Sequence, residues 1–313
     1  MCADVLRRRR MPPPTLDCEP LSDGPSDQEG GGMELCCNMF GFSPFIRSAF
    51  VRSAGPGAAG GEAVDPGELF DAVRAAGFTG VGLDLFTVDA WAGRGRTLAG
   101  VARDLAAAGL RCSEMLGFVV SDDAEGTYEG ARRVAEAVAA FGAPYALGMV
   151  TAPPGPRTAD LFARCAEVVA DADGTAAVEF LPFTPLATIA DARALVRHAG
   201  AGRAGVLVDT WHFFQGPDSW DELSALPAEE LAYVQFNDHP QLLGADADLY
   251  HECMTRRVMP GDGVFPLDAF RDALTAKGYA GLVSVEVNSA ELAALGPDEF
   301  ARRAWAAARR YWS

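Results

Sequence analysis

Four apolar runs in the second half of the chain each carry an oxygen-bearing side chain near their end. These are Glu179 in AAVEF, Asp209 in VLVD, Gln235 in AYVQFND and Glu286 in VSVEVN. A carboxylate buried without a partner is costly, and three brought to one place would repel one another. Two resolutions are open. Each acid could pair with its own arginine, lysine or backbone donor. Alternatively, one divalent cation could neutralise the set, and hard oxygen donors suit Mg²⁺, Mn²⁺ or a similar ion. The equivalent placement on successive runs favours the shared cation. His212 follows Asp209 by three positions in VLVDTWHFFQ.

Such residues need elements that bring strand ends together. From Met33 onward, strand-like and helix-like segments alternate. The strand-like segments are 33–42, 79–88, 111–120, 144–150, 176–183, 204–214, 231–238 and 281–288. The helix-like ones are 65–77, 97–109, 129–142, 158–172, 188–200, a short one near 218–225, 266–278 and 297–312. Pro66 near a first turn, and Gly77 and Gly142 as stops, mark helix ends. Strands alternating with helices imply parallel pairing. Eight pairs over about 280 residues predict an α/β fold, a closed (β/α)₈ TIM barrel in one domain, with an open doubly wound sheet as the competing architecture. In a barrel, active sites lie at the C-terminal ends of the strands, where the four residues fall. Segment 239–262 reads as a long irregular insertion rich in polar groups, including His239, His251, Glu252, Arg256 and Arg257.

Composition narrows the partners. The chain has 313 residues, 49% hydrophobic, and a formal net charge of −17. That surface repels phosphate backbones and anionic membranes, so neither nucleic acid nor a membrane is the expected partner. No apolar run is long enough for a membrane span. The cysteines are odd in number and form no CxxC pair, and Cys36, Cys37 and Cys112 lie in apolar runs. Reduced core thiols in a cytoplasmic protein are expected, not a disulfide framework or a zinc cluster. Residues 1–32, rich in Pro, Gly, Ser and charge, read as a disordered extension. Two GxGxxG matches, GPGAAG at 55–60 and GAGRAG at 200–205, read as turns; the second follows a helix and precedes a strand, the reverse of a dinucleotide site.

The pieces VEFLPF, VDTWHFF, VQFNDHP, PGDGVFPL (260–267) and VSVEVN, in this order, resemble the sugar isomerase/epimerase superfamily with a xylose isomerase-like barrel. The resemblance covers about residues 33 to 313. It implies that Glu179, Asp209 and Glu286 are metal-binding carboxylates, and that Gln235 stands where many members have a metal-binding histidine. His212 matches a histidine that approaches substrate oxygens. Arg256 or Arg257 matches an arginine before the PG[DE]G segment and could bind a hydroxyl, carboxylate or phosphate. Asp84 in VGLDLF, Glu114 in RCSEMLGF and His239 are further candidates for substrate contact. Phe40, Phe86, Trp211, Phe213 and Phe214 could wall a pocket or simply pack.

The expected activity is a metal-dependent isomerase or epimerase of a sugar, sugar phosphate or related polyol. A divalent ion (Mn, Mg, Co or Zn) would act on substrate oxygens while Glu179 and Glu286 move a proton next to a carbonyl. A dehydratase or secondary-metabolite isomerase on the same scaffold, and a non-catalytic sugar-binding barrel, are the alternatives. An endonuclease IV-like phosphodiesterase fits poorly with four histidines and a strongly acidic chain. Dimers and tetramers are common among relatives, so a homo-oligomer is a further expectation.

Overall fold

A computed structural model of the chain describes residues 33–48, 63–244 and 246–312. The extension 1–32 and the GPGAAG turn lie outside the described residues. The eight strands are β1 (Glu34–Asn38), β2 (Gly80–Asp84), β3 (Arg111–Val120), β4 (Tyr145–Val150), β5 (Thr175–Glu179), β6 (Ala204–Asp209), β7 (Leu231–Gln235) and β8 (Leu282–Val285). They pair in sequence order, all parallel, and β1 pairs with β8. The sheet is therefore closed, and the doubly wound alternative is excluded. No described helix is long and apolar enough to cross a membrane.

The helices cover the outside of the barrel with their apolar faces, giving one continuous core between the two layers. A separate, smaller cluster fills the barrel itself, from Cys36, Leu116, Leu147, Ala177, Leu207, Tyr233 and Leu282. The barrel interior is thus packed, as side chains of alternate positions on every strand require. A third cluster, with Ile46, Trp211, Cys253 and Met254 at its centre, packs Phe40, Phe45 and Phe183 against it. The five cysteines of the described residues are free and buried, in keeping with thiols that pack as small apolar groups.

Two strand ends differ from the sequence reading, for one physical reason. The strand-like runs 79–88 and 204–214 end at Asp84 and Asp209, and helices Leu85–Ala92 and Thr210–Gln215 begin at once. In each case the aspartate caps the helix: Asp84 accepts from Thr87 N–H and Asp209 from Trp211 N–H. The apolar residues beyond these caps hide the switch from a periodicity count. The insertion 239–262 is not irregular throughout either. It contains helix Leu249–Thr255, capped by Asp248.

Gly77 ends helix Pro66–Ala76 with φ +113°, and a Cβ there would lie 2.8 Å from the Trp305 ring. Gly142 ends Ala124–Phe141 with φ +66° and open space around it. Backbone strain alone makes Gly142→Ala cost about 1 kcal/mol. Gly77→Ala adds a collision with the helix Pro297–Ala308 that carries Trp305 and should cost at least twice as much. Urea unfolding of the two variants checks this; equal losses would contradict the contact.

Candidate functional site

Glu179, Asp209 and Gln235 are the last residues of β5, β6 and β7, and Glu286 is the first residue after β8. Asp209 and Gln235 are partners in the β6–β7 ladder. All four are buried. The short helix after β6 turns His212 back over the strand end. Its Nε2 lies 3.2 Å from Glu179 Oε1 and 3.8 Å from Asp209 Oδ2. One ligand atom each from Glu179, Asp209 and His212 lie within 4.8 Å of one another, close enough to hold one ion.

Arg257 enters this cluster from the insertion and is buried. Its Nη1 donates to Asp209 Oδ2 at 2.7 Å and to Glu286 Oε2 at 2.9 Å. Nε donates to the Cys253 carbonyl at 3.0 Å, and Nη2 lies 3.1 Å from Cys253 Sγ. The solvated-loop alternative for this arginine is thereby excluded. Asp209 also accepts from Asn237 Nδ2 at 2.8 Å and from Trp211 N–H at 2.7 Å. Burial opposes its ionisation, but Arg257, His212 and Asn237 outweigh burial and hold the carboxyl below the usual range. Glu286 goes the other way. Burial, with Asp209, Glu179 and Glu114 nearby, pushes its pKa well up, and Arg257 offsets this only in part. One guanidinium between two acids leaves the second one short of positive charge.

The donor set fits a divalent ion. Gln235 Oε1 is buried with no hydrogen-bond partner, a hard carbonyl oxygen beside the Asp209 strand end. With Glu179, Asp209 and Glu286 all ionised, the single charge of Arg257 would leave two negative charges, the balance a dication would meet; without one, the burial of Glu286 beside the other acids favours its protonated form. Both resolutions open to the sequence are therefore partly realised: an arginine pairs with two of the acids, and the set as a whole still lacks positive charge.

Glu114 lies deeper, fully buried inside the barrel. Burial pushes its pKa up, against hydrogen bonds from Ser284, Asn38 and Gln235. Asp84 is engaged by Thr87 Oγ1 at 2.6 Å, Thr87 N–H at 3.0 Å and Ser43 Oγ at 2.8 Å. His239 is buried with Nε2 3.2 Å from Glu252 Oε2, and Glu252 in turn pairs with Arg256. The aromatic candidates divide. Trp211 and Phe40 belong to the cluster at the strand ends, and Phe86 stacks on Phe45 at 4.6 Å. Phe213 and Phe214 pack on Trp220 and Phe270 instead.

Sequence reasoning quoted VQFNDHP but assigned nothing to Asp238. Its carboxylate accepts from the backbone N–H of His239 (2.8 Å), Gly261 (3.1 Å), Gly263 (3.0 Å) and Phe265 (3.0 Å). Asp238 thus folds the PGDG segment against the end of β7. A Cβ at Gly263 would lie 2.3 Å from Asp238 Oδ1, which explains that glycine. The signal for both was the VQFND and PGDG pair, whose meaning is a contact across 25 residues of chain.

A family model described as a xylose isomerase-like TIM barrel matches residues 70–311. The chain belongs to this family. Among curated proteins it is similar to a 3-dehydroshikimate dehydratase of Pseudomonas aeruginosa, 32% identical over 93 residues, 30% of this chain. That stretch spans only 14% of the dehydratase. Among solved structures, the IOLI protein with a binding zinc atom has 16% identity and a TM-score of 0.73. The match covers 90% of this chain and 100% of that one. A D-allulose 3-epimerase from Methylomonas sp. has 16% identity and a TM-score of 0.65 over 90% and 99% of the two chains. At these identities the structures share the barrel fold of the family.

Two outcomes follow from the site. Arg257→Leu leaves two buried acids without their cation and should destabilise the protein by about 3 kcal/mol. Thermal and urea unfolding measure it, and a loss below about 1 kcal/mol would mean that the acids are neutralised otherwise. The second concerns Asp84, whose pKa burial pushes up to about 6. The unfolded chain ionises this group from about pH 4. The folded chain keeps the proton to higher pH, so the contribution to stability falls between about pH 4 and 6 and is flat above. Relative to Asp84→Asn, the wild type should lose up to about 3 kcal/mol across that interval. A pH-independent difference between the two proteins would refute the shift.

Proposed function

We propose that this barrel is a metal-dependent isomerase or epimerase of a sugar or related polyol, working by proton transfer next to a carbonyl. The observation that carries the reading is the convergence of Glu179, Asp209 and His212 at the strand ends, beside the unpartnered Gln235 Oε1. The family includes this chain, and the similar proteins include a D-allulose 3-epimerase and a protein with a binding zinc atom.

Glu179, Asp209, Gln235 and Glu286 would hold one ion of the Mn, Mg, Co or Zn type. When bound, such an ion acts as a Lewis acid on substrate oxygens and balances the buried carboxylates. The chain's own groups then divide the remaining work. Glu179, at the end of β5, and Glu286, just after β8, flank the space between them and serve as proton acceptor and donor for the carbon next to the carbonyl. His212, 3.2 Å from Glu179, steadies a substrate oxygen near the same acid. Arg257 keeps Asp209 ionised and Glu286 in place through one nitrogen. Trp211 and Phe183, whose rings lie 6.3 Å apart, pack together at this end of the barrel.

A second reading, dehydration of a polyhydroxylated ring or chain, is favoured by the partial match to the dehydratase. It begins with the same proton abstraction and differs in losing a neighbouring hydroxyl as water.

Elemental analysis should find about one divalent ion per chain, lost in Glu179→Ala and Asp209→Ala. With metal restored, ketoses, aldoses and polyols incubated in D₂O should gain deuterium next to the carbonyl. Glu286→Gln should still bind metal and lose turnover by about 100-fold or more. Full turnover in metal-loaded Glu286→Gln would remove that residue from proton transfer. Release of a dehydrated product in the same screen would select the second reading.

A further inference from the structure

The polar floor beneath the carboxylates plays no part in that chemistry. Glu114 projects from β3 into the barrel, where packed interiors are ordinarily filled by branched apolar side chains. Its partners are neutral donors from three other strands. Asn38 Nδ2 on β1 donates to Oε1 at 2.7 Å, and Ser284 Oγ on β8 donates to the same oxygen. Gln235 Nε2 on β7 donates to Oε2 at 3.4 Å. On β2, Gly82 provides the room: a Cβ there would lie 2.4 Å from Glu114 Oε1 and 2.9 Å from its Cγ. A carboxylate this deep is expensive, so its contacts call for an explanation beyond packing.

The Gln235 amide supplies one. The two ends of a primary amide are nearly the same shape, and either could face upward. A carboxylate only accepts hydrogen bonds, so Glu114 selects the NH₂ end and repels the carbonyl end. Gln235 Oε1 is accordingly left buried and unpartnered, beside the strand end that carries Asp209. We propose that Glu114 is the positioning residue that turns the Gln235 carbonyl oxygen toward the carboxylate cluster, allowing a neutral amide to serve as a metal ligand. This rests on the metal reading of the site. Groups that orient a metal ligand in this way typically change affinity by about 10- to 100-fold when lost.

The test is the Mn²⁺ and Co²⁺ affinity of the purified full chain by chelator competition, with the Co²⁺ absorption spectrum as a second readout. Glu114→Gln should weaken binding by about 10- to 100-fold, and Gln235→Ala by a similar factor. The double variant should bind no more weakly than Gln235→Ala alone, and the Co²⁺ spectrum of Glu114→Gln should move toward that of Gln235→Ala. A merely electrostatic or structural role for Glu114 would instead multiply the two losses, because it would persist with the amide gone. Should Glu114→Gln not fold, Glu114→Asp keeps the charge and withdraws it by one methylene; weakened binding is again expected. Wild-type affinity in a folded Glu114 variant, or multiplicative losses, overturns the inference alone. A wild-type protein that binds neither ion overturns the metal reading and the inference together.

Discussion

Glu179, Asp209 and Glu286 are buried at one end of a closed barrel, and their mutual repulsion has to be met by positive charge or by a retained proton. Much of the surrounding structure answers that requirement. Arg257 reaches in from the insertion and bridges Asp209 and Glu286. To do so it is held at both ends, by Cys253 on the helix before it and by its own backbone N–H on the Asn288 carbonyl. The Asp238–Val258 bridge ties the same segment to the end of β7. A segment of polar insertion thus becomes part of the barrel's charge balance.

Asp209 links this electrostatics to the backbone. One oxygen meets Arg257, and the other caps helix Thr210–Gln215 and receives Asn237. The cap is what bends the chain after β6, and the bend is what returns His212 to the carboxylates. Removing the Asp209 charge would therefore disturb the histidine as well as the ion pair. Below them, Glu114 and its neutral donors form a second polar layer where a purely structural barrel would be apolar. Two layers of buried acids are a large energetic burden for one domain, and the close packing around them carries it.

The sequence by itself determined the class of fold and the identity of the clustered residues. Alternation of buried apolar runs with amphipathic segments is local information, and eight repeats of it gave a parallel α/β sheet and favoured a barrel, but the choice against an open doubly wound sheet was made only by the pairing of β1 with β8. The carboxylates at strand ends were legible because burying an acid is costly enough to be noticed in a run such as AAVEF or VLVD. What stayed hidden was decided by contacts between distant segments. Asp84 and Asp209 stop their strands by capping, which apolar periodicity beyond them conceals. Arg256 and Arg257 are adjacent and alike in sequence, yet one pairs with Glu252 and the other is buried among the site acids. Closure of β8 on β1 put Ser284 and Asn38 on Glu114, and only that closure gave a lone acid on the third strand its partners. Residue type and spacing specify what can ionise, cap or pack; which charge meets which is set by the three-dimensional neighbourhood, because the energies involved depend on distance and desolvation and not on order along the chain.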